Sequence, residues 1–145
     1  MTNPAPISVE RTFSANVADV WNAITDKSKL DKWYFKIADF ELREGAIFNF
    51  YELGPERKYH HRCEILEIKP DELLKHTWSH PSHSDGISVL TWHIIPRGTA
   101  TTVRVVHDGI ENFQHAGSEF SRDNFEKGWN IILGVSLAKF LENHN

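Results

Sequence analysis

The chain has 145 residues, the size of a single domain with one hydrophobic core, and we predict one domain over residues 1–145. It carries 16 Lys and Arg against 20 Asp and Glu, and this net charge of −4, without a basic cluster, argues against nucleic acid as a partner. Cys63 is the only cysteine, so an internal disulfide is excluded and a reducing, cytoplasmic location is the default expectation.

Neither the N-terminus nor any apolar run suggests a secretory signal or a membrane span. Residues 1–6 are polar and broken by proline, and we expect a loose tail there. The longest largely apolar run, at 131–137, is far shorter than the roughly 20 residues that span a bilayer, so no membrane insertion is expected. The unusual feature is the ring content, with five Trp, nine Phe, three Tyr and nine His. Such side chains fill cores and also line apolar pockets.

The first predicted elements are a strand and two short helices. Apolar and polar residues alternate over 7–13, which is typical of a strand with one buried face. Asn16 is a suitable N-cap for a helix over 17–24, where the apolar residues recur at helical spacing. Asp26 or Ser28 then caps a second short helix.

A run of strands separated by turns follows these helices. Segments 38–42 and 47–53 both predict strands, joined by a hairpin in which Gly45 supplies the positive φ of a tight turn. Four more strands complete the pattern, at 58–68, 73–78, 88–95 and 103–107. The polar stretch 79–86 between two of them predicts a flexible loop.

The last predicted element is a long helix. From 119 to 143 the apolar residues change from a period of two to helical spacing, with one stripe of buried positions. The order of strand, helix pair, antiparallel strands and helix indicates an α+β architecture, in which the terminal helix lies across one face of the sheet.

Four segments carry recognisable motifs. They are V-W-N-A-I-T-D at 20–26 before Leu30 and Trp33, L-R-E-G-A-I-F at 42–48, I-L-E-I-K-P at 65–70 before T-W at 77–78, and V-R-V-V-H-D-G-I at 103–110 with Gly128-Trp129 opening the last helix. In this order and spacing they resemble the family named after the activator of the heat-shock-protein-90 ATPase. That family lies in the START-related superfamily, which includes the birch-pollen allergen fold. The resemblance covers residues 7–141, with Asp71 where the family often has a second proline.

The resemblance implies a helix-grip fold, with a curved antiparallel β-sheet wrapped around a long C-terminal α-helix and two short helices after the first strand. It also implies a hollow between sheet and helix, which the superfamily uses for lipids, sterols, polyketides or flavonoid-like molecules. Fold alone does not fix the function, because activity varies widely among members.

Periodicity indicates which side chains would face this hollow. The candidate ligand-binding residues are Trp33, Phe48, Phe50, His61, Trp78, Leu90, Trp92, Ile94, Val103, Val105, His107, Trp129, Ile132, Leu133 and Ser136. The alternative is that they pack against one another as an ordinary core. Trp33 either gates the hollow or only staples the second helix to the sheet.

Histidines are the candidate acid-base groups. His61 would be the pocket acid-base group, and His107 its orienting neighbour, in a cyclase-like enzyme. A hydrogen-bonded structural role at the end of the last strand is the alternative for His107. No metal site is predicted, since His60 and His61 point to opposite faces of a strand and His80 with His83 lacks a third ligand.

The leading functional prediction is the binding of a small hydrophobic molecule without catalysis or cofactor, with a stress response as one context that the resemblance implies. A polyketide cyclase- or dehydratase-like enzyme is the first alternative. A chaperone ATPase activator is the second alternative. The eukaryotic activators carry a separate N-terminal domain for the chaperone contact, whereas about six residues precede the first predicted strand here, so chaperone contact is not expected.

Overall fold

The computed structural model describes residues 5–51, 60–117 and 120–143. The elements are β1 (Ile7–Phe13), α1 (Val17–Thr25), α2 (Lys27–Trp33), β2 (Ile47–Tyr51), β3 (His60–Lys69), β4 (Leu73–Ser79), β5 (Ile87–Arg97), β6 (Ala100–Asp108), a 3-10 helix (Ile110–Ala116), α3 (Arg122–Ile131), a π-helical segment (Ile132–Leu137) and α4 (Ala138–Asn143). Asn16 caps α1 as predicted, because its Oδ1 accepts a hydrogen bond from Asp19 N at 2.8 Å.

The six strands form one antiparallel sheet in the order β1-β6-β5-β4-β3-β2. Buried residues alternate with more exposed ones along β4 and β5, so each strand presents one face to the interior. Trp92 lies opposite Leu74 and Val105 on the neighbouring strands, which aligns the inward-facing side chains across the sheet. The sheet curves around the terminal helix, which confirms the predicted helix-grip fold.

Segments α3, the π-helical segment and α4 run on as one C-terminal helix, 122–143. It begins at Arg122 after the N-cap Ser121, and Glu119, where we predicted the start, lies outside the described residues. Gly128-Trp129 therefore lies inside α3 and does not open it as expected from the family motif. The residues that the helix buries are Trp129, Leu133, Leu137, Phe140 and Leu141. They cover the inner face of the sheet and close the core.

The predicted strand at 38–42 is wrong, because residues 38–39 form a turn and 40–42 have no regular structure. The Asp39 carboxylate instead accepts hydrogen bonds from the Asn49 backbone N–H at 3.0 Å and from the Asn49 amide at 3.1 Å. It thereby occupies a backbone donor at the free edge of β2, so no strand pairs there. Gly45 adopts a φ of 88° in the turn before β2, and its backbone N–H donates a hydrogen bond to the carbonyl of Ile65 on β3 at 2.8 Å.

Several predicted boundaries fall in or near undescribed segments. Residues 52–53 and 58–59, which we assigned to strands, lie outside the described part of the chain, as does most of the predicted tail. The described end of that tail is held in place, since the Arg122 guanidinium donates hydrogen bonds to the carbonyls of Ala5 and Pro6. Among the described residues, no helix has the length and apolar character needed to cross a bilayer.

Candidate functional site

A cavity of about 190 Å³ lies between the first turns of the C-terminal helix, the ends of β3 and β4, and the segments that follow α2 and the 3-10 helix. Its lining residues are Phe35, His61, Trp78, His80, Phe120, Asn124, Phe125, Gly128, Trp129 and Ile132. Asn124 is exposed, and Phe35, Phe125 and Gly128 are partly exposed, so the cavity opens to solvent on this side. The opposite end is closed by buried rings.

One wall of the cavity is a stack of flat rings. The His61 imidazole lies parallel to the Phe50 ring, with centroids 4.5 Å apart and an interplanar angle of 4°. Phe35 stacks on Phe50 in turn, at 4.7 Å and 28°. The alternation of β2 and β3 produces this wall, because Phe50 and His61 are cross-strand partners on the inward face. The stack presents ring surface to a ligand.

A second, adjoining wall is built around His80, directly after β4. Its ring lies edge-on to Phe120 at 4.7 Å, to Phe113 at 5.2 Å and to His61 at 4.7 Å. His80 is only 3% exposed, although it falls in the stretch that we predicted as a polar loop. The alternation of β4 continues one residue past the strand, and this carries His80 to the same inward face as Trp78.

Three tryptophans behind and beside the cavity each donate an indole hydrogen bond to a histidine. The pairs are Trp78 with His80 (Nε1 to Nε2, 3.0 Å), Trp92 with His76 (Nε1 to Nε2, 3.3 Å) and Trp129 with His107 (Nε1 to Nδ1, 3.1 Å). A ring nitrogen that accepts a hydrogen bond carries no proton, so each imidazole is neutral and its tautomer is assigned from the network.

His107 lies at the centre of a hydrogen-bond chain. Its Nδ1 accepts from Trp129, so Nε2 carries the proton and donates to Ser88 Oγ at 2.8 Å. Ser88 Oγ donates in turn to the Trp78 carbonyl at 2.9 Å. This chain joins the terminal helix to β4, β5 and β6, with both ring nitrogens of His107 satisfied. These contacts support the structural interpretation of this residue.

Burial keeps these imidazoles uncharged. Desolvation, together with the smaller effect of nearby histidines, lowers the pKa of His80 and of His107 to about 3. Desolvation lowers the pKa of His76 to about 4, against the opposing effect of its hydrogen bond to the Thr77 carbonyl. The interior beside the cavity therefore holds no positive charge on these three residues at neutral pH.

The structure brings only some of the candidate residues to the cavity. Those that line it are His61, Trp78, Trp129 and Ile132. The remaining buried candidates, which pack in the core instead, are Trp33, Phe48, Phe50, Leu90, Trp92, Ile94, Val103, Val105, His107 and Leu133. Ser136 is partly buried. Within the described ring contacts His107 touches Trp78 and not His61, and His80 occupies the position beside His61.

Trp33 has the contacts of a staple. Its indole N–H donates to the Ala23 carbonyl at 2.7 Å, which ties α2 to α1, and the ring is buried against Trp92. It is not among the residues that line the cavity. The Tyr34 hydroxyl next to it is buried and has no hydrogen-bond partner within the described residues, and desolvation raises its pKa well above 10.

Sequence reasoning missed the cavity residues that lie outside regular strands. Phe35 follows α2 in a segment for which no element is predicted, and Phe120 precedes α3, although the predicted helix starts at 119. Gly128 belongs to a family motif, but it is not among the predicted ligand-binding residues. A Cβ built on Gly128 meets no atom within 4 Å, so this position faces open space inside a helix. A glycine in the middle of an amphipathic helix is the one sequence signal that could have indicated the opening.

The described residues hold no cluster that fits a metal ion, since no three His, Cys, Asp or Glu side chains converge among them. The buried thiol of Cys63 has its pKa raised well above 9, first by desolvation and then by the charge of Asp39. A protonated, inaccessible thiol is a poor nucleophile. The site therefore offers ring surfaces, the neutral imidazole of His80 and one amide at its mouth.

Comparison with solved structures supports the fold. CalU16 from Micromonospora echinospora superposes with a TM-score of 0.73 at 20% identity, covering 96% of this chain and 77% of CalU16. MLL2253 from Mesorhizobium loti gives 0.77 at 23% identity, covering 97% and 98%. DynU16, a protein of the dynemicin biosynthetic locus, gives 0.79 at 22%, covering 99% of this chain but 49% of DynU16.

Comparison with family models identifies the family of the chain, whereas comparison with curated sequences finds no relative. No curated protein sequence matches the chain. Residues 14–142 match the family described as activator of Hsp90 ATPase homolog 1-like protein. This match spans most of the chain, and the helix-grip architecture is that of the START-related superfamily. The chain therefore belongs to the family of activator of Hsp90 ATPase homolog 1-like proteins, within that superfamily.

Proposed function

We propose that this protein binds a small hydrophobic ligand in the cavity between its sheet and its C-terminal helix. The observation that carries the proposal is the cavity of about 190 Å³, which is walled by aromatic rings and open to solvent at one side. Ligand sites are typically concave and apolar, with a few polar groups that set orientation. Here His61, His80 and Asn124 are those groups.

The neighbours of the cavity favour a preformed binding site. Trp78 and Trp129 have their indole donors already satisfied by His80 and His107, so these rings offer only apolar surface to a ligand. The stack of His61 on Phe50 holds the adjoining ring wall in a fixed orientation. A site that is rigid before binding loses little side-chain entropy when the ligand arrives.

Gly128 provides a direct test of this proposal. Gly128→Leu adds a side chain to a position that lines the cavity, where an added Cβ meets no atom within 4 Å, so it should block the site. The helix tolerates the change, because leucine is a far better helix former than glycine. Lys127→Leu is the matched control, since it places the same side chain on the adjacent, exposed position of α3.

The measurement is NMR titration with a panel of naphthalenes, palmitate and a sterol. Binding to the wild-type protein should shift the indole N–H signals of Trp78 and Trp129, which line the cavity. Gly128→Leu should weaken binding at least tenfold, whereas Lys127→Leu should bind like the wild type. The proposal fails if no panel member shifts these signals, or if the leucine at position 128 leaves affinity unchanged.

An acid-base function is the second candidate, because two imidazoles face the same cavity. The rings of His61 and His80 lie 4.7 Å apart, and both are lining residues. Polyketide cyclase- or dehydratase-like chemistry would place a reactive substrate against them. Turnover of a polyketide substrate that is lost in His61→Gln, while ligand affinity is retained, would support this function over simple binding.

A further inference from the structure

We propose that the outward side of the C-terminal helix docks on the surface of an anionic lipid bilayer. The docking face consists of Lys127, Ile131, Val135 and Lys139, all exposed, and we call it the basic-apolar stripe. Docking goes beyond ligand binding in the cavity and is supported by separate observations. These are two exposed apolar side chains beside the cavity mouth, lysines at both ends of the stripe, and the position of the acidic residues on another side of the helix.

The centre of the stripe exposes apolar surface to solvent. Ile131 is 57% exposed and Val135 is 48% exposed, four residues apart on the same side of the helix. Scattered exposed apolar residues are common and carry no meaning alone. These two adjoin Gly128 and Ile132, which line the cavity and lie one turn before and one residue after Ile131. The apolar surface of the stripe therefore continues to the mouth of the cavity.

A π-helical segment keeps the stripe in line along the helix. In an α-helix each four-residue step overshoots a full turn by about 40°, so the three steps from Lys127 to Lys139 would drift by about 120°. The π-helical segment Ile132–Leu137 takes about one more residue per turn, which offsets most of this drift. Both lysines thus lie on the side of the helix that exposes Ile131 and Val135.

The acidic residues of the helix lie on a different side, which faces β1. The Arg11 guanidinium of β1 donates a hydrogen bond to Asn130 Oδ1 at 2.8 Å. Glu126 and Asp123 precede Asn130 by one and two turns, so they share its side of the helix. Glu142 borders the end of β1. The two lysines of the stripe therefore have no acidic neighbour on their own side of the helix.

These charges favour a lipid surface over a second copy of the chain. If two copies paired their stripes about a two-fold axis, each of Lys127 and Lys139 would face a lysine of the other copy, and like charges repel. An anionic bilayer attracts both lysines, and its interfacial region accepts apolar side chains while the ammonium groups stay among the lipid phosphates. Because the whole chain carries a net charge of −4, this attraction is local to the stripe.

Co-sedimentation with lipid vesicles measures docking of the wild-type protein. One set of vesicles is phosphatidylcholine, and the other is an equimolar mixture of phosphatidylcholine and phosphatidylglycerol. Two lysines at an anionic surface should raise the partition coefficient roughly tenfold to thirtyfold in the mixture at physiological ionic strength. Addition of salt to about 1 M should remove most of this difference, because the Debye length falls to about 3 Å.

A pair of double variants tests the apolar centre of the stripe. Ile131→Ser combined with Val135→Ser should lower the partition coefficient for the mixed vesicles about tenfold, because the apolar contact with the bilayer interface is lost. Ile47→Ser combined with Ile87→Ser is the matched control. These two residues are 44% and 58% exposed, but they lie on β2 and β5, on the outer face of the sheet. The control should bind the vesicles like the wild type.

A second pair of double variants tests the charges. Lys127→Gln combined with Lys139→Gln should reduce the preference for the anionic vesicles to less than threefold. Lys69→Gln combined with Lys75→Gln changes the net charge by the same amount on β3 and β4, and should keep the preference. Circular dichroism confirms that each variant is folded, and the comparison of the two vesicle types with the wild type decides the question even if a variant is not.

Several outcomes would overturn docking on an anionic bilayer. Wild-type protein that binds neither kind of vesicle, or binds both equally, contradicts it. Losses in the two control variants as large as those in the stripe variants would show that the stripe is not the docking face. A wild-type oligomer in sedimentation velocity that dissociates in the Ile131→Ser, Val135→Ser variant would identify a second copy as the occupant. None of these measurements depends on a ligand in the cavity, so the binding function is judged separately by the NMR titration.

Discussion

Acidification tests the buried tryptophan–histidine pairs directly. We predict that lowering the pH from 7 to 5 destabilises the protein by about 6 kcal/mol, because His76, His80 and His107 stay neutral in the folded state. Burial lowers the pKa of His76 from 6.5 to about 4, and the pKa of His80 and of His107 from 6.5 to about 3. The unfolded chain binds the same three protons near pH 6.5.

The magnitude follows from the difference in proton binding. The folded-state pKa values lie below the unfolded value. The contribution of the three histidines to stability is therefore complete above about pH 6.5 and is lost as the pH falls toward 4 and then 3. Below about pH 6.5, each histidine lowers the free energy of unfolding by about 1.4 kcal/mol per pH unit, or by about 2 kcal/mol at pH 5. The combined loss is comparable with the whole stability of a typical domain, about 5 to 15 kcal/mol.

Urea unfolding at pH 7, 6 and 5, followed by circular dichroism, measures this dependence. His107→Gln is the informative variant, since its amide can still accept from Trp129 and donate to Ser88 but does not titrate. Its stability should fall about one third less steeply with pH than that of the wild type. A free energy of unfolding that changes by less than about 1 kcal/mol between pH 7 and 5, or an identical slope in the variant, would refute the reasoning.

Three further predictions concern the core and the edge of the sheet. Trp33→Phe removes the indole donor to the Ala23 carbonyl and should lower the free energy of unfolding in urea by about 1–3 kcal/mol, while the Kd of the naphthalene that binds the wild type changes less than twofold; a tenfold change in Kd would support a gate. Cys63, fully buried with a raised pKa, should react with a thiol reagent only at the rate of unfolding, and rapid labelling at pH 8 would contradict this. Asp39→Ala should speed hydrogen exchange at the backbone N–H of Asn49, and an unchanged exchange rate would show that the Asp39 carboxylate does not protect this N–H.

Most of the fold follows from local patterns in the sequence. The alternation of apolar residues in β5 and β6 predicts their inward faces, because each strand has one buried side. The segment 38–42 misled this reasoning, since alternation cannot show that the Asp39 carboxylate occupies the neighbouring strand edge. A side-chain hydrogen bond across ten residues has no signature in a periodic pattern.

The site was less predictable than the fold. Phe35, His80 and Phe120 reach the cavity from connections between elements, where no periodicity assigns a direction to a side chain. The volume of the cavity depends on how far the terminal helix stands from the sheet, and on the rotamers of rings such as Trp129. These quantities arise from packing of distant segments, so a linear pattern does not contain them.

At Gly128 the requirements of helix stability and of ligand binding oppose each other. Glycine in a helix interior costs about 1 kcal/mol relative to alanine, and here the missing side chain leaves room beside Trp129. Alanine, valine and leucine should therefore each raise the melting temperature above that of the glycine protein, and each larger side chain should narrow the range of ligand sizes that the protein accepts. In a series of variants from alanine to valine to leucine, the largest ligand that the protein binds should become smaller at each step.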